Sequence, residues 1–429
     1  MAGRDTTTNN TGKNSRIAAP KFGSMKQIVI FTDCYFPVVK SVSFLIRDLS
    51  QELQSEGMKV ILVAADNTIN EQFAVVRENN LTLIRVRSFD TKKTSFLLRG
   101  LGEFALPFFM HSVIKKMKTD IKPDLILVYS PSIFLAIAAH RLKNTSGAPV
   151  YLILRDIFPD WAIEAKVVNS KPVQFILRLF ARYQFKISNR IGLQSKRDLK
   201  LFKSGHYSAN AKKSELLPNW RASWEPPTLD ESIRKKLGLD DKVIFLIGGS
   251  IGPAQDPELI LKIAQKLGPN HRAHFLFIGS GPLFSAVENR VKNENISNIT
   301  MLSAMPFNEY AKYLMSADVG TLLLNGSLTS DNIPGRFLDY LQASLPVLAL
   351  INDENELFAY IMYEQIGAVA SSSDFTASLN AVNQLTNTTQ VRYTLGKKGP
   401  SLLNRDFSPE SAAKKVLRLL DNKEGGILV

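Results

Sequence analysis

The chain has 429 residues, 45% hydrophobic and 21% charged, which supports two or three cores and excludes wholesale disorder. Its formal charge of +14 is lopsided: residues 1–219 hold 33 Lys+Arg against 17 Asp+Glu, a net of +16, and residues 220–429 hold 20 against 22, a net of −2. A single cysteine, Cys34, excludes an internal disulfide and a thiolate zinc cage and fits a reducing compartment. No apolar run reaches the ~18 residues of a spanning helix, since Arg99 and Glu103 interrupt the best one, and no secretory signal is expected. A basic half beside a neutral half points to one domain that meets a polyanion, an anionic membrane or an anionic acceptor. A basic surface kept for solubility is the plainer alternative.

Residues 1–24 are polar and aperiodic and read as a disordered extension or tag. The run Gln27 to Phe31 predicts a buried parallel strand. Leu45, Leu49 and Leu53, one turn apart and closed by Gly57, predict a helix, and Val60 to Val63 the next strand. That spacing is a βαβ unit. The alternation continues with strands at Leu81–Val86, Asp124–Val128, Val150–Leu154, Arg190–Leu193 and Ser214–Leu217. Helices are expected at Leu97–Lys118, broken near Pro107, at Ile133–Leu142 and at Val173–Ser188. Residues 25–217 thus read as one doubly wound domain, and Pro218, Pro226 and Pro227 as a linker. The pattern restarts over 218–405 with strands at Val243–Ile247, Phe275–Ile278, Ile299–Leu302, Val319–Leu324 and Val347–Leu350. Helices are expected at Pro257–Leu267 and Pro334–Ser344. Residues 406–429 read as a terminal helix and tail. The fold class is α/β, with two Rossmann-like domains facing a central cleft, the default place for a ligand.

Several segments carry candidate chemistry. The glycines of Gly248-Gly249-Ser250-Ile251-Gly252 follow a strand and let backbone amides approach a diphosphate; a mere tight turn explains them equally. In Asp331-Asn332-Ile333-Pro334-Gly335-Arg336-Phe337-Leu338-Asp339, Arg336 falls in a first helical turn, where a cation opposes the macrodipole unless an anion sits there. Asp331 and Asp339 bracket that place and can accept from sugar hydroxyls. A cap at Asp331 and an i,i+3 surface pair of Arg336 with Asp339 is the alternative. Leu154-Arg155-Asp156-Ile157-Phe158-Pro159-Asp160-Trp161 bunches charge and aromatics at a strand's carboxyl end, with Asp156 a candidate base and Trp161 a sugar platform; capping of the next turn would also suit. Two basic aromatic helices suggest an anionic leaflet. One is Phe96–Lys118, flanked by Lys92, Lys93, Lys115, Lys116 and Lys118. In the other, Ile176, Phe180, Tyr183 and Ile187 form an apolar stripe beside Arg178, Arg182, Lys186 and Arg190. The first is the favoured contact, and core packing with a solvated basic face explains either singly. Neither H-E-x-x-H nor Asp-x-Asp occurs, so no metal site is expected, and no recognition motif suggests nucleic acid.

Six landmarks fall in order: Arg155-Asp156-Ile157-Phe158-Pro159-Asp160, Leu217-Pro218-Asn219-Trp220, Gly248 to Gln255, Phe277-Ile278-Gly279-Ser280-Gly281-Pro282, Ser316-Ala317-Asp318-Val319-Gly320 and Ile333 to Tyr340. On these the chain resembles the family 4 retaining glycosyltransferases of GT-B fold, from Met25 to about Leu420. It is most similar to the branch building bacterial O-antigen and capsule with N-acetylfucosamine-like sugars. The resemblance implies a hexosyl- or N-acetylaminosugar transferase without cofactor, using a nucleoside-diphosphate sugar. Its acceptor would be a polyprenyl-diphosphate-linked saccharide at the cytoplasmic face of the plasma membrane, beside other polysaccharide-assembly enzymes. It puts Asp331 on the donor sugar, Asp339 on the ribose and Arg336 on the diphosphate. Gly248, Gly249, Ser250 and Gly252 would wrap that diphosphate; Gly279, Ser280, Gly281, Ser303 and Ile333 would complete the donor site, with Met301 to Met305 along the base. Asp156, Asp331 and Arg336 would be catalytic, and Lys40, Ser41, Arg155 and Trp161 would face the acceptor. The chain departs from the pattern at Pro253 and Gln255-Asp256, where relatives carry cations, and at Val39 to Val42, where they carry glycines. Lys40 is a candidate compensating charge. A binding or scaffold protein that has lost turnover, and a nucleotide-sugar epimerase, are the other classes.

Overall fold

The computed structural model describes residues 25–78, 80–88, 96–117, 121–164, 166–230, 232–326 and 333–421. The expectations for residues 1–24, Lys92, Lys93, Lys118 and Asp331 lie outside the described residues. The first sheet holds β1 (Gln27–Thr32), β2 (Lys59–Asp66), β3 (Phe73–Glu78), β4 (Leu81–Arg87), β5 (Leu125–Tyr129), β6 (Val150–Leu154), β7 (Arg190–Leu193) and β8 (Ser214–Leu216). Their order is β3-β4-β2-β1-β5-β6-β7-β8, parallel except for β3, which runs antiparallel to β4. The second sheet holds β9 (Val243–Ser250), β10 (Ala273–Ser280), β11 (Ile299–Ser303), β12 (Val319–Leu323), β13 (Val347–Ile351) and β14 (Gly367–Ser371). Its order is β11-β10-β9-β12-β13-β14, all parallel.

Both sheets reverse strand order once, between β1 and β5 and between β9 and β12. Open α/β sheets bind ligands outside the strand ends at such points. The strands around them are continuous apolar runs because helices cover both faces: Ile28, Ile30 and Leu127 face one core, Val29, Phe31 and Val128 the other. The second sheet is built alike, with Phe245 and Ile247 on one side and Ile244 and Leu246 on the other. Each such side chain contributes about 1.5–3 kcal/mol by leaving water.

Nine helices enter the argument: α1 (Ser41–Ser55), α2 (Phe96–Lys116), α3 (Lys171–Ile187), α4 (Lys196–Ser204), α5 (Pro257–Leu267), α6 (Phe307–Ser316), α7 (Gly335–Gln342), α8 (Glu356–Glu364) and α9 (Pro409–Asp421). The terminal helix α9 returns to the first domain. Its Ala412, Ala413, Val416 and Leu420 share a core with Leu45, Ile46, Leu49 and Leu53 of α1.

Three expectations need correction. Helix α2 is not broken at Pro107: the proline is buried inside one continuous helix, which gives up only the hydrogen bond the missing amide would have made. The apolar stripe assigned to α3 is only partly covered. Phe180 and Tyr183 pack against the core and Ile187 is buried, but Ile176 is exposed, as are Phe175 and Leu179. The glycine segment at 248 begins within strand β9, which runs on to Ser250.

Candidate functional site

The linker stitches the two domains together at the head of the cleft. Trp220, almost fully buried, donates its indole N–H to the Leu45 carbonyl of α1 at 2.8 Å. Asn219 Nδ2 donates to the Ile333 carbonyl at 2.8 Å, just before α7. Arg221 lies between the domains. Its Nε donates to Asp339 Oδ1 of α7 at 3.0 Å, and its Nη1 is 3.8 Å from Asp48 Oδ2 of α1. Its guanidinium stacks over Phe44, 4.1 Å from the ring centre, and over Phe307 of α6 at 4.9 Å. Asp48 also accepts from Arg47 and from the Ala222 amide. Hence Arg47, Asp48, Arg221 and Asp339 form one alternating chain of charge across the domain boundary.

That chain changes the reading of Asp339. Its carboxylate, expected to serve ribose hydroxyls, already has a cation on Oδ1. Burial pushes its pKa up, with Arg221 pulling against it. Any hydroxyl would therefore share this carboxylate with Arg221.

Arg336 occupies the first turn of α7, as the spacing predicts, although Pro334 is the residue before the helix and not its first member. The guanidinium lies over Gly249, whose φ of +97° suits glycine; a Cβ there would meet Arg336 Cζ at 3.7 Å. Arg336 Nη1 is buried and has no hydrogen-bond partner among the described residues, a costly state for a charged donor. Gly335 beside it faces the other domain, where its Cβ position would be 3.5 Å from Ser41 Oγ. Ser41 is the first residue of α1 and Lys40 its exposed N-cap. Two helix N-termini and an arginine thus meet across the cleft, where their fields favour an anion.

The glycines divide by role. Gly249 and Ser250 are exposed at the end of β9, where they still pair with Gly279 and Ser280 of β10. The Gly248 amide donates to the Tyr340 hydroxyl at 3.3 Å, and that hydroxyl shares its single proton between the Leu246 and Thr321 carbonyls. Gly248 instead makes room for Tyr310 of α6. Gly279 and Gly281 permit close backbone approach, to the Gly249 carbonyl and the Ile251 carbonyl. Gly252 is buried and precedes the turn into α5, whereas Ser280 and Ser303 stand exposed at the ends of β10 and β11. The expectation that the whole 248–252 segment presents amides to a ligand is thereby narrowed to its middle.

On the first domain, Asp156 sits exposed beyond β6, and desolvation by the surrounding protein pushes its carboxyl up against the pull of Arg155. Trp161, on the short helix Asp160–Glu164, is exposed with its ring 6.3 Å from that of Phe158. Arg155 is a correction. It is buried, donates to the Leu217 carbonyl at 2.7 Å and stacks on Trp220 at 4.8 Å, so it holds the linker and does not face an acceptor. The residues sequence reasoning missed are Asp48, Arg221, Tyr310 and Tyr340; the available signal was an aromatic and an arginine, Trp220-Arg221, in a proline-flanked linker.

No protein-family model and no curated relative matches the chain. Solved structures do. Sucrose-phosphate synthase from Thermosynechococcus elongatus superposes with TM-score 0.70 at 15% identity, covering 92% of this chain and 98% of that one. HepE from Anabaena, in complex with UDP and glucose, gives 0.66 at 11% identity over 92% and 99%. WaaG, a glycosyltransferase involved in lipopolysaccharide biosynthesis, gives 0.63 at 13% identity over 91% and 99%. The chain has the GT-B fold.

Proposed function

We propose that the protein is a glycosyltransferase that moves a hexosyl or N-acetylaminosugar group from a nucleoside-diphosphate sugar to a polyprenyl-diphosphate-linked saccharide. It would work at the cytoplasmic membrane face in surface-polysaccharide synthesis. One observation carries this reading: Arg336 at the head of α7, lying over Gly249 with a buried Nη1 that has no partner among the described residues, beside Gly335, which faces the N-terminus of α1. A diphosphate answers all three features, since it would satisfy the orphan donor, complement the helix ends and lie against the exposed Gly249 and Ser250. That HepE is seen with UDP and glucose in the same fold supports a donor of this class.

In the proposed reaction the bond from C1 of the sugar to the diphosphate oxygen breaks, and Arg336 with the main-chain amides stabilises the departing charge. The acceptor oxygen bonds to C1 from the same face, its proton passing to the departing phosphate, so configuration is retained without a metal. Asp339, shared with Arg221, holds ribose; Asp156 and Trp161 line the acceptor side. A thermal-shift panel of nucleotide sugars tests the donor: at ~100 times its dissociation constant a specific donor stabilises the native state by about 2.7 kcal/mol. NMR of the product's anomeric proton tests retention, and an inverted product would overturn it.

A further inference from the structure

We infer that the outer face of α3, with Trp161 beside it, is the surface by which the protein sits on an anionic lipid bilayer. This deepens the reading above, on which the purpose of the contact rests, and it adds α3 to the contact expected of α2. Helix α2 spends its inward face on the core through Leu106, Met110, Val113 and Ile114 and leaves Leu101, Phe104 and Phe109 exposed. Helix α3 also leaves three large apolar side chains in water: Phe175 is 61% exposed, Ile176 51% and Leu179 46%. Single exposed apolar residues are ordinary; three on one helical surface are not.

At 100° per residue, Phe175, Leu179, Arg182 and Lys186 fall on one line, i, i+4, i+7 and i+11, all exposed. The line is apolar in its first half and basic in its second. That is the make-up of a helix lying in a headgroup layer, its rings among acyl chains and its cations among phosphates. The patch extends sideways. Arg178 of α3 bonds Asp160 at 3.2 Å, which anchors the short helix carrying Trp161, itself 45% exposed. Phe104 of α2, itself exposed, meets Phe180 of α3 with ring centres 5.7 Å apart, which joins the two helices. An indole at the edge of an apolar patch suits the bilayer interface. Trp161 also lies five residues beyond Asp156, so the surface borders the acceptor side of the cleft. The occupant follows from charge: the half of the chain that bears this face has a net charge of +16, which an anionic leaflet complements and a neutral one does not.

The test is flotation of the full chain with vesicles of phosphatidylcholine alone and of phosphatidylcholine with phosphatidylglycerol, at low and high salt. The unaltered chain should float with the anionic vesicles, less so at high salt, and stay behind with the neutral ones. The double variant Phe175→Ser/Leu179→Ser should lose at least about tenfold in partitioning, since each large apolar side chain contributes about that much. Arg182→Gln/Lys186→Gln should reduce the salt dependence. Far-ultraviolet dichroism and nucleotide-sugar binding, read on the same variants, should stay unchanged. Equal flotation with neutral and anionic vesicles, or unaltered flotation of the serine variant, would overturn the proposal. So would a dimer of the unaltered chain that the serine variant abolishes, with no vesicle binding. Failure of nucleotide sugars to bind the unaltered chain would strike the reading of the cleft instead, leaving the vesicle result intact.

Discussion

Replacing Arg221 by methionine removes the cation between Asp48 and Asp339 with little change in volume. Unit charges 3.0 Å apart attract by about 5 kcal/mol at an effective dielectric of about 20. The side chains of Arg221 and Asp339 are only 7% and 14% exposed, so little solvent replaces the lost partner. Asp48 keeps Arg47 and the Ala222 amide, and Asp339 carries most of the penalty. Breaking one side of a buried pair costs about 3–5 kcal/mol, and the lower end is expected here. Without its cation, Asp339 holds its proton to higher pH in the native state than in the unfolded chain. Native protein then binds more protons, and the penalty shrinks as pH falls toward the ordinary carboxylate value of about 4. Urea unfolding followed by tryptophan fluorescence measures this, with Asp339→Asn and the double variant completing a cycle. A loss below about 1 kcal/mol, or no coupling in that cycle, would refute the charge chain as the tie between the domains.

Two further substitutions probe the same frame. Gly248→Ala places a methyl against the Tyr310 hydroxyl and should cost about 1–3 kcal/mol in urea unfolding, with Tyr310→Ala in the same chain relieving the clash. His274, buried in β10 against Thr300, has its imidazole pushed down to about 4 by burial. Because the folded value lies below the ordinary value of about 6.5, this group's contribution is fully present above that pH and is lost as pH falls toward 4. The loss amounts to about 3 kcal/mol, and His274→Gln should flatten that slope in unfolding measured across the range.

The central parallel strands were legible because each is buried on both faces and so reads as an unbroken apolar run. The strands that were missed lack that signature. Phe73–Glu78 is an edge strand with Val75 and Val76 in water, and Gly367–Ser371 is made of small residues that could belong to any turn. Arg336 was legible from a local conflict, a cation at a helix head. Arg221 was not, since its partners lie 173 and 118 positions away in the chain and only the folded arrangement joins them. Arg155 misled for the same reason: charge at the end of a strand looks like a site, and the contact with Leu217 that buries it spans 62 positions.

Isothermal titration of nucleoside-diphosphate sugars into the full chain and into Arg336→Gln bears most directly on the diphosphate grip. A guanidinium that holds the diphosphate requires at least one such sugar to bind the unaltered chain, and the glutamine variant to bind it at least about tenfold more weakly, with unchanged unfolding. Equal affinity for both chains, or no heat from any nucleotide sugar, would contradict it.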